Sequence, residues 1–154
     1  MSLCAANHFH HPVGPSPAGV GTNALAANEI LIGLKLPNPG ARCSDAYLRF
    51  IPRTEMDIAV VGCAVALGFD DAGRCTSASV AIGAVAPTVL LVPAAGSALL
   101  GTTVDEAALQ AAGVACTEAS SPISDKRGTA DYRRKVVAVL CRRAGQIAKD
   151  RALA

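Results

Sequence analysis

The hydrophobic pattern begins as an alternation. In "NEILIGLKLP", Ile30, Ile32, Leu34 and Leu36 are apolar at every second position. A period of two puts successive side chains on opposite faces, so the pattern predicts a strand with one buried face, stopped by Pro37. The stretch "NPGARCSD" reads as a loop, and "AYLRFI" as a second extended piece closed by Pro52. Two apolar, valine-containing runs then flank "DDAG", whose Asp and Gly residues suit a turn. That is a hairpin signal, with a loop longer than the tight Asn-Gly form. Alanine richness leaves helix open for residues 58–67. Gly62 and Gly68 disfavour it and favour strand.

After Pro87 the spacing becomes helical. "TVLLVPAAGSALLG" predicts one short helix ending near Gly101, with Pro93 tolerated only early in it. In "TVDEAALQAAGVACTEA", Thr103 can cap and Glu106, three residues on, completes a capping box. Asp105 and Glu106 then fall in the first turn, where the helix dipole favours anions. "SSPISDKRG" is a loop before the last and longest helix. Residues 1–28, rich in Gly, Pro, Ala and Asn, are expected to be irregular, leaving 29–154 as the folded unit. Strands first and helices after predict an α+β fold: a small antiparallel sheet of about three main strands, packed against C-terminal helices.

The stretch "PISDKRGTADYRRKVVAVLCRRA" carries five arginines and two lysines. With Thr129 as N-cap and about 100° per residue, Val136, Val137, Leu140, Cys141, Ala144, Ile147 and Ala148 fall within an arc of roughly 140°. Arg134, Lys135, Arg142, Arg143 and Lys149 lie outside it, as the solvated face of an amphipathic helix. Arg133 is the exception, pointing into the apolar arc. There it either snorkels over the core edge or needs a partner, with Asp125 first and Asp57 second.

Composition narrows the function classes. Net charge is +2, aromatic residues make up 3% and tryptophan is absent, so neither charge excess nor stacking residues point to nucleic acid. Between Cys75 and Val104 no residue is charged, but Pro87, Pro93, Gly83, Gly96 and Gly101 break the run, and no membrane insertion is expected. Six cysteines, none in a C-x-x-C pair, are expected to stay reduced in a cytoplasmic protein, with Cys63 and Cys141 acting as small hydrophobes. "HFHH" at 8–11 has no matching ligand spacing and reads as tail, so no metal site is expected. Asp70-Asp71 beside Gly73 read as a turn. No catalytic residue is identified.

Four stretches resemble the flavoprotein subunits of molybdenum hydroxylases, the family of aerobic carbon monoxide dehydrogenase and xanthine dehydrogenase. They are "LAANEILIGLKLP", "AYLRFIPRTEMDIAVVGCAVAL", "ASVAIGAVAPT" and "PISDKRGTADYRR", in the family's order over about residues 24–150. The resemblance covers the family's C-terminal flavoprotein domain and implies a small antiparallel sheet backed by helices. The Gly-rich loops of the family's N-terminal FAD-binding domain have no counterpart here. "GPSPAGVGTNALAANE" is interrupted by prolines and lacks a strand-turn-helix context.

What the resemblance implies is a domain that helps to enclose FAD, without catalysis of its own. Leu31 would lie near the isoalloxazine, Arg49 would stand where the family carries a lysine, and Tyr47 would neighbour the ring. A one-residue offset would put Leu48 in place of Arg49. Implied partners are the missing FAD-binding half, a molybdenum-cofactor subunit and an iron–sulfur subunit, joined in electron transfer. Two other classes remain open: a structural or interaction module without flavin, and a binder of a different small ligand.

Overall fold

The computed structural model describes residues 27–28, 30, 40–53 and 57–154. Within them the chain forms β1 (Cys43–Phe50), β2 (Val61–Phe69), β3 (Cys75–Gly83), β4 (Leu90–Leu91), α1 (Pro93–Leu99), α2 (Glu106–Ala119) and α3 (Ala130–Leu153). The strands make one antiparallel sheet in the order β1-β2-β3-β4. The expected α+β architecture is therefore present. The strand expected at 30–36 and the irregular segment 1–28 lie outside the described residues, apart from Ala27, Asn28 and Ile30.

The hairpin forms as strand, not helix, at residues 61–69. Its turn closes through Asp70, whose backbone N–H donates to the Arg74 carbonyl (3.0 Å) and whose carboxylate accepts from the Arg74 N–H (2.8 Å). Gly73 takes φ +74°, the left-handed conformation that glycine enters without steric cost. Along β2, Val61, Cys63, Val65, Leu67 and Phe69 are buried, as are Val80 and Ile82 on β3. These face the helices: α3 lies on β1 and β2, α1 on β3, and α2 packs against both other helices.

Two expectations are corrected. The helix after Pro87 begins only at Pro93, because Leu90 and Leu91 pair with Ile82 and Ala81, and the Val92 N–H donates to the Val80 carbonyl at 2.8 Å. Proline has no N–H to lose at the first helical position, so the helix starts where the pairing stops. The second correction concerns the cap of α2. Asp105, not Thr103, is the N-cap, its carboxylate accepting from the Ala108 N–H at 2.9 Å. Both residues are capping types, and the choice follows the backbone: the Thr102 hydroxyl accepts from the Val104 N–H (3.0 Å) and holds that residue at φ +51°, just before the helix.

Helix α3 follows its predicted wheel. Thr129 caps it, accepting from the Tyr132 N–H, and Val137, Leu140, Cys141, Ala144 and Ala148 are buried. Cys63 and Cys141 are both fully buried, as small hydrophobes would be. Contacts with the Cys116 and Cys141 thiols, then burial, push the Cys63 thiol far up, which keeps it protonated. Several outward cations are engaged within the chain: Arg142 pairs with Glu106, and Lys149 donates to the Val104 carbonyl.

Arg133 is buried, with 4% of its surface exposed. One Nη donates to Asp125 Oδ1 at 2.7 Å; the other donates to the carbonyls of Val60 (3.0 Å) and Ala84 (3.3 Å). Asp125 is itself fixed by a tight turn, accepting from the Arg127 N–H at 2.8 Å and exchanging backbone hydrogen bonds with Gly128. Arg127 reaches across to Asp57 at 3.6 Å, and Asp57 also pairs with Arg53. Of the two expected partners, Asp125 is direct and Asp57 joins through Arg127.

Replacing Arg133 with alanine strands two carbonyls and one carboxylate, and should cost about 3 kcal/mol in urea unfolding. The exposed Arg142 pair should be worth about 1 kcal/mol or less in the same measurement. The Arg133 hydrogen bond, then the Arg127 amide, lower the Asp125 pKa below the usual carboxylate range. Burial opposes this at Asp57, but Arg53, the Ile58 amide and Arg127 outweigh it, so its pKa is lowered too. Such groups stabilise the fold above their unfolded pKa of about 3.9 and stop doing so as pH falls through the lowered folded value. Unfolding midpoints should hold steady above about pH 5 and decline below about pH 4. Asp125→Asn should make that decline shallower.

Candidate functional site: the outer face of the sheet

Alternation along β1 decides which side chains leave the core. Ala46 is buried, and Leu48 and Phe50 pack against the core cluster. Asp45, Tyr47 and Arg49, on the other phase, are exposed on the face turned away from the helices. The structure thus brings Tyr47 and Arg49 together, two residues apart on one face, and sends Leu48 to the other. Leu31 lies outside the described residues.

What β2 and β3 contribute to this face is the absence of bulk. Opposite Asp45, Tyr47 and Arg49 stand Ala66, Ala64 and Gly62, and beyond them on β3 stand Ser79, Ala81 and Gly83. No side chain larger than serine rises from the two inner strands on this side, between Gly62–Gly68 and Ser77–Gly83. The result is an open groove of about 480 Å³, lined among others by Ser44, Asp45, Ala64, Ala66, Ser77 and Ser79. Tyr47 and Arg49 stand beside its end rather than in its wall.

The Tyr47 ring does not point straight out. It leans diagonally across β2, so that its hydroxyl end lies over Gly62. The ring is still 61% exposed. The Arg49 side chain, exposed beside it, has no ion pair or hydrogen bond among the described residues. An open floor of small residues, an aromatic ring with an exposed side and an exposed cation can receive a flat, partly anionic group.

Sequence reasoning found Tyr47 and Arg49 but missed the floor. The signal was there: Gly62, Ala64, Ala66 and Gly68 recur at every second position, out of phase with Val61, Cys63, Val65 and Leu67. Glycine and alanine count as apolar or neutral, so this second alternation hides within an unbroken hydrophobic run.

Comparisons with known proteins agree on one family. The profile described as "CO dehydrogenase flavoprotein C-terminal domain" matches residues 46–148. The "Carbon monoxide dehydrogenase medium chain" of Afipia carboxidovorans is 39% identical over 130 residues, which are 84% of this chain and 44% of that one. The "Nicotinate dehydrogenase FAD-subunit" of Eubacterium barkeri is 36% identical over 63 residues, 41% of this chain and 21% of that one. Among solved structures, a chain of the reconstituted CO dehydrogenase from Oligotropha carboxidovorans superposes with a TM-score of 0.71 at 37% identity, covering 75% of this chain and 40% of that one. The chain spans less than half the length of the relatives it matches. Among the described residues, no helix is long and apolar enough to cross a membrane.

Because Tyr47 and Arg49 are exposed, and neither side chain has a hydrogen bond or ion pair among the described residues, Tyr47→Ala and Arg49→Ala should each move unfolding stability by no more than about 0.5 kcal/mol. Urea titrations followed by circular dichroism would check this. A large loss would make them structural residues instead.

Proposed function

Since the chain belongs to the CO dehydrogenase flavoprotein C-terminal domain family, we propose that it is the C-terminal domain of an FAD-carrying subunit of a molybdenum hydroxylase. In this reading the bare sheet face helps to enclose FAD, and the domain supports assembly of the electron-transfer complex. The observation that carries the reading is the pairing of Tyr47 and Arg49 on that face, over a floor with no side chain to obstruct a flat ring.

The residues fit the group. Tyr47 has an exposed ring side against which an isoalloxazine would pack, and aromatic neighbours of this kind favour offset contact. Arg49 would hold positive charge beside the flavin and so favour its anionic forms. Arginine differs from lysine in offering a planar fork of donors, which suits two adjacent acceptors. Leu31, by the same resemblance, would add an apolar contact. The flavin itself supplies the redox chemistry when bound, and the residues of this chain bind, orient and shield it.

The partners follow from the same reading: an FAD-binding half, a molybdenum-cofactor subunit and an iron–sulfur subunit, in the cytoplasm. In this reading the substrate is chosen elsewhere in such an assembly. A second reading draws on the exposed sheet face alone. A structural or interaction module without flavin would use that face for protein contact.

Titration of FAD with the purified chain, followed by flavin fluorescence, separates the two. The flavin reading expects saturable quenching, weakened about tenfold by Arg49→Ala through loss of about 1.5 kcal/mol from one hydrogen bond to a charged group. Leu31→Ala and Tyr47→Ala should weaken it as well. Unchanged fluorescence, with a chain shown by circular dichroism to be folded, would favour the module.

A further inference from the structure

We propose that Gly62 is a positioning residue for the flavin face: having no side chain, it sets where the Tyr47 ring lies, and through the ring how open the face is beside Arg49. The inference rests on the flavin reading above and adds a residue that the resemblance did not point to.

The geometry is specific. Tyr47 stands directly opposite Ala64, whereas Gly62 stands opposite Arg49, so the ring reaches Gly62 only by leaning along the diagonal. A β-carbon at Gly62 would lie 2.8 Å from the Tyr47 hydroxyl oxygen, 3.3 Å from Cε2 and 3.4 Å from Cζ. The first distance is too short for a carbon to occupy, so any side chain there must move the hydroxyl end of the ring. Gly62 counts as buried although it lies on the outward phase of β2, with the ring over it.

The backbone does not ask for glycine. Gly62 is not among the glycines with positive φ, and it sits in unbroken register with both Arg49 and Gly83. Glycine weakens a strand interior, so its presence at a regular position calls for another cause. Neighbouring glycines show the contrast. Gly83 would meet only Val89, at 3.8 Å, and Gly68 faces Ser77 and Cys43. Of these three strand glycines, only Gly62 has an aromatic side chain in the space a β-carbon would take.

The obstructing atoms are the far end of an exposed side chain, so the ring, not the fold, gives way. Gly62→Ala should therefore leave the stability of the chain unchanged or raised while displacing Tyr47 toward Arg49 or off the sheet. That separates positioning from a packing role, for which stability would fall.

The chain contains two tyrosines and no tryptophan, so Tyr132→Phe leaves Tyr47 as the sole tyrosine. In that background, nuclear Overhauser contacts between the Tyr47 ring and the Gly62 α-protons should be present. Gly62→Ala should move the ring, seen as loss of the Tyr47 contacts to residue 62, and weaken FAD binding about fivefold. Tyr47→Phe removes the nearest atom, so Gly62→Ala combined with Tyr47→Phe should bind FAD within about twofold of Tyr47→Phe alone. The proposal is overturned if Gly62→Ala leaves the ring in place, or if the ring moves and FAD binds as before. A parent chain that shows the ring contacts but binds no FAD instead overturns the flavin reading, and the flavin role of Gly62 with it.

Discussion

Arg133 ties the loop before α3 to one end of the sheet. Its guanidinium joins the loop before α3 to the backbone at Val60, just ahead of β2, and to Ala84, just after β3. Both carbonyls sit at the same end of the sheet, where the strands stop pairing and their backbone groups would otherwise be left without donors. A lysine could not serve all three acceptors from one plane; a guanidinium, rigid and forked, can. The charge that makes this costly is offset by Asp125, which its own turn holds in position. The orientation of α3 on the sheet, and hence the burial of Val137 through Ala148, depends on this junction.

From that junction the two faces of the sheet diverge. The inner face spends its side-chain volume on valine, leucine, isoleucine and phenylalanine against the helices. The outer face carries glycine, alanine and serine on its central strands, and keeps its charged and aromatic groups on β1. One covered face and one open face is ordinary for an antiparallel sheet. An open face whose central strands carry no long polar side chain is not, since solvated faces are usually charged. The combination fits a surface shaped for close approach.

Much of this was legible in the sequence, and the reasons differ by residue. Arg133 was readable because helical period and burial conflict at that position, and an aspartate lay within reach. Its two carbonyl partners were not, since they belong to loops 49 and 73 residues away and carry no sequence signature. The hairpin was readable from "DDAG", but β4 was not: two residues make no period, and only the edge of β3 defines them. The cap of α2 went to Asp105 rather than Thr103 because the preceding turn, built on Thr102, fixes where the helix can begin. Tyr47 and Arg49 were legible by resemblance, and their shared face by alternation. The bare floor beside them needed the register of three strands.

A floor made of main chain and methyl groups also has an evolutionary consequence. With no long side chain to rearrange, it cannot adapt to a new occupant by switching rotamers, and it offers few groups that could be retuned one at a time. Its shape is set by strand twist and by single carbon atoms. Change on such a surface is coarse: one added methyl on β2 alters the contour for any ligand, while changes on β1, where the side chains are, alter charge, polarity and what leans across the floor. Relatives would then be expected to diversify along β1 and to vary least in side-chain size along β2.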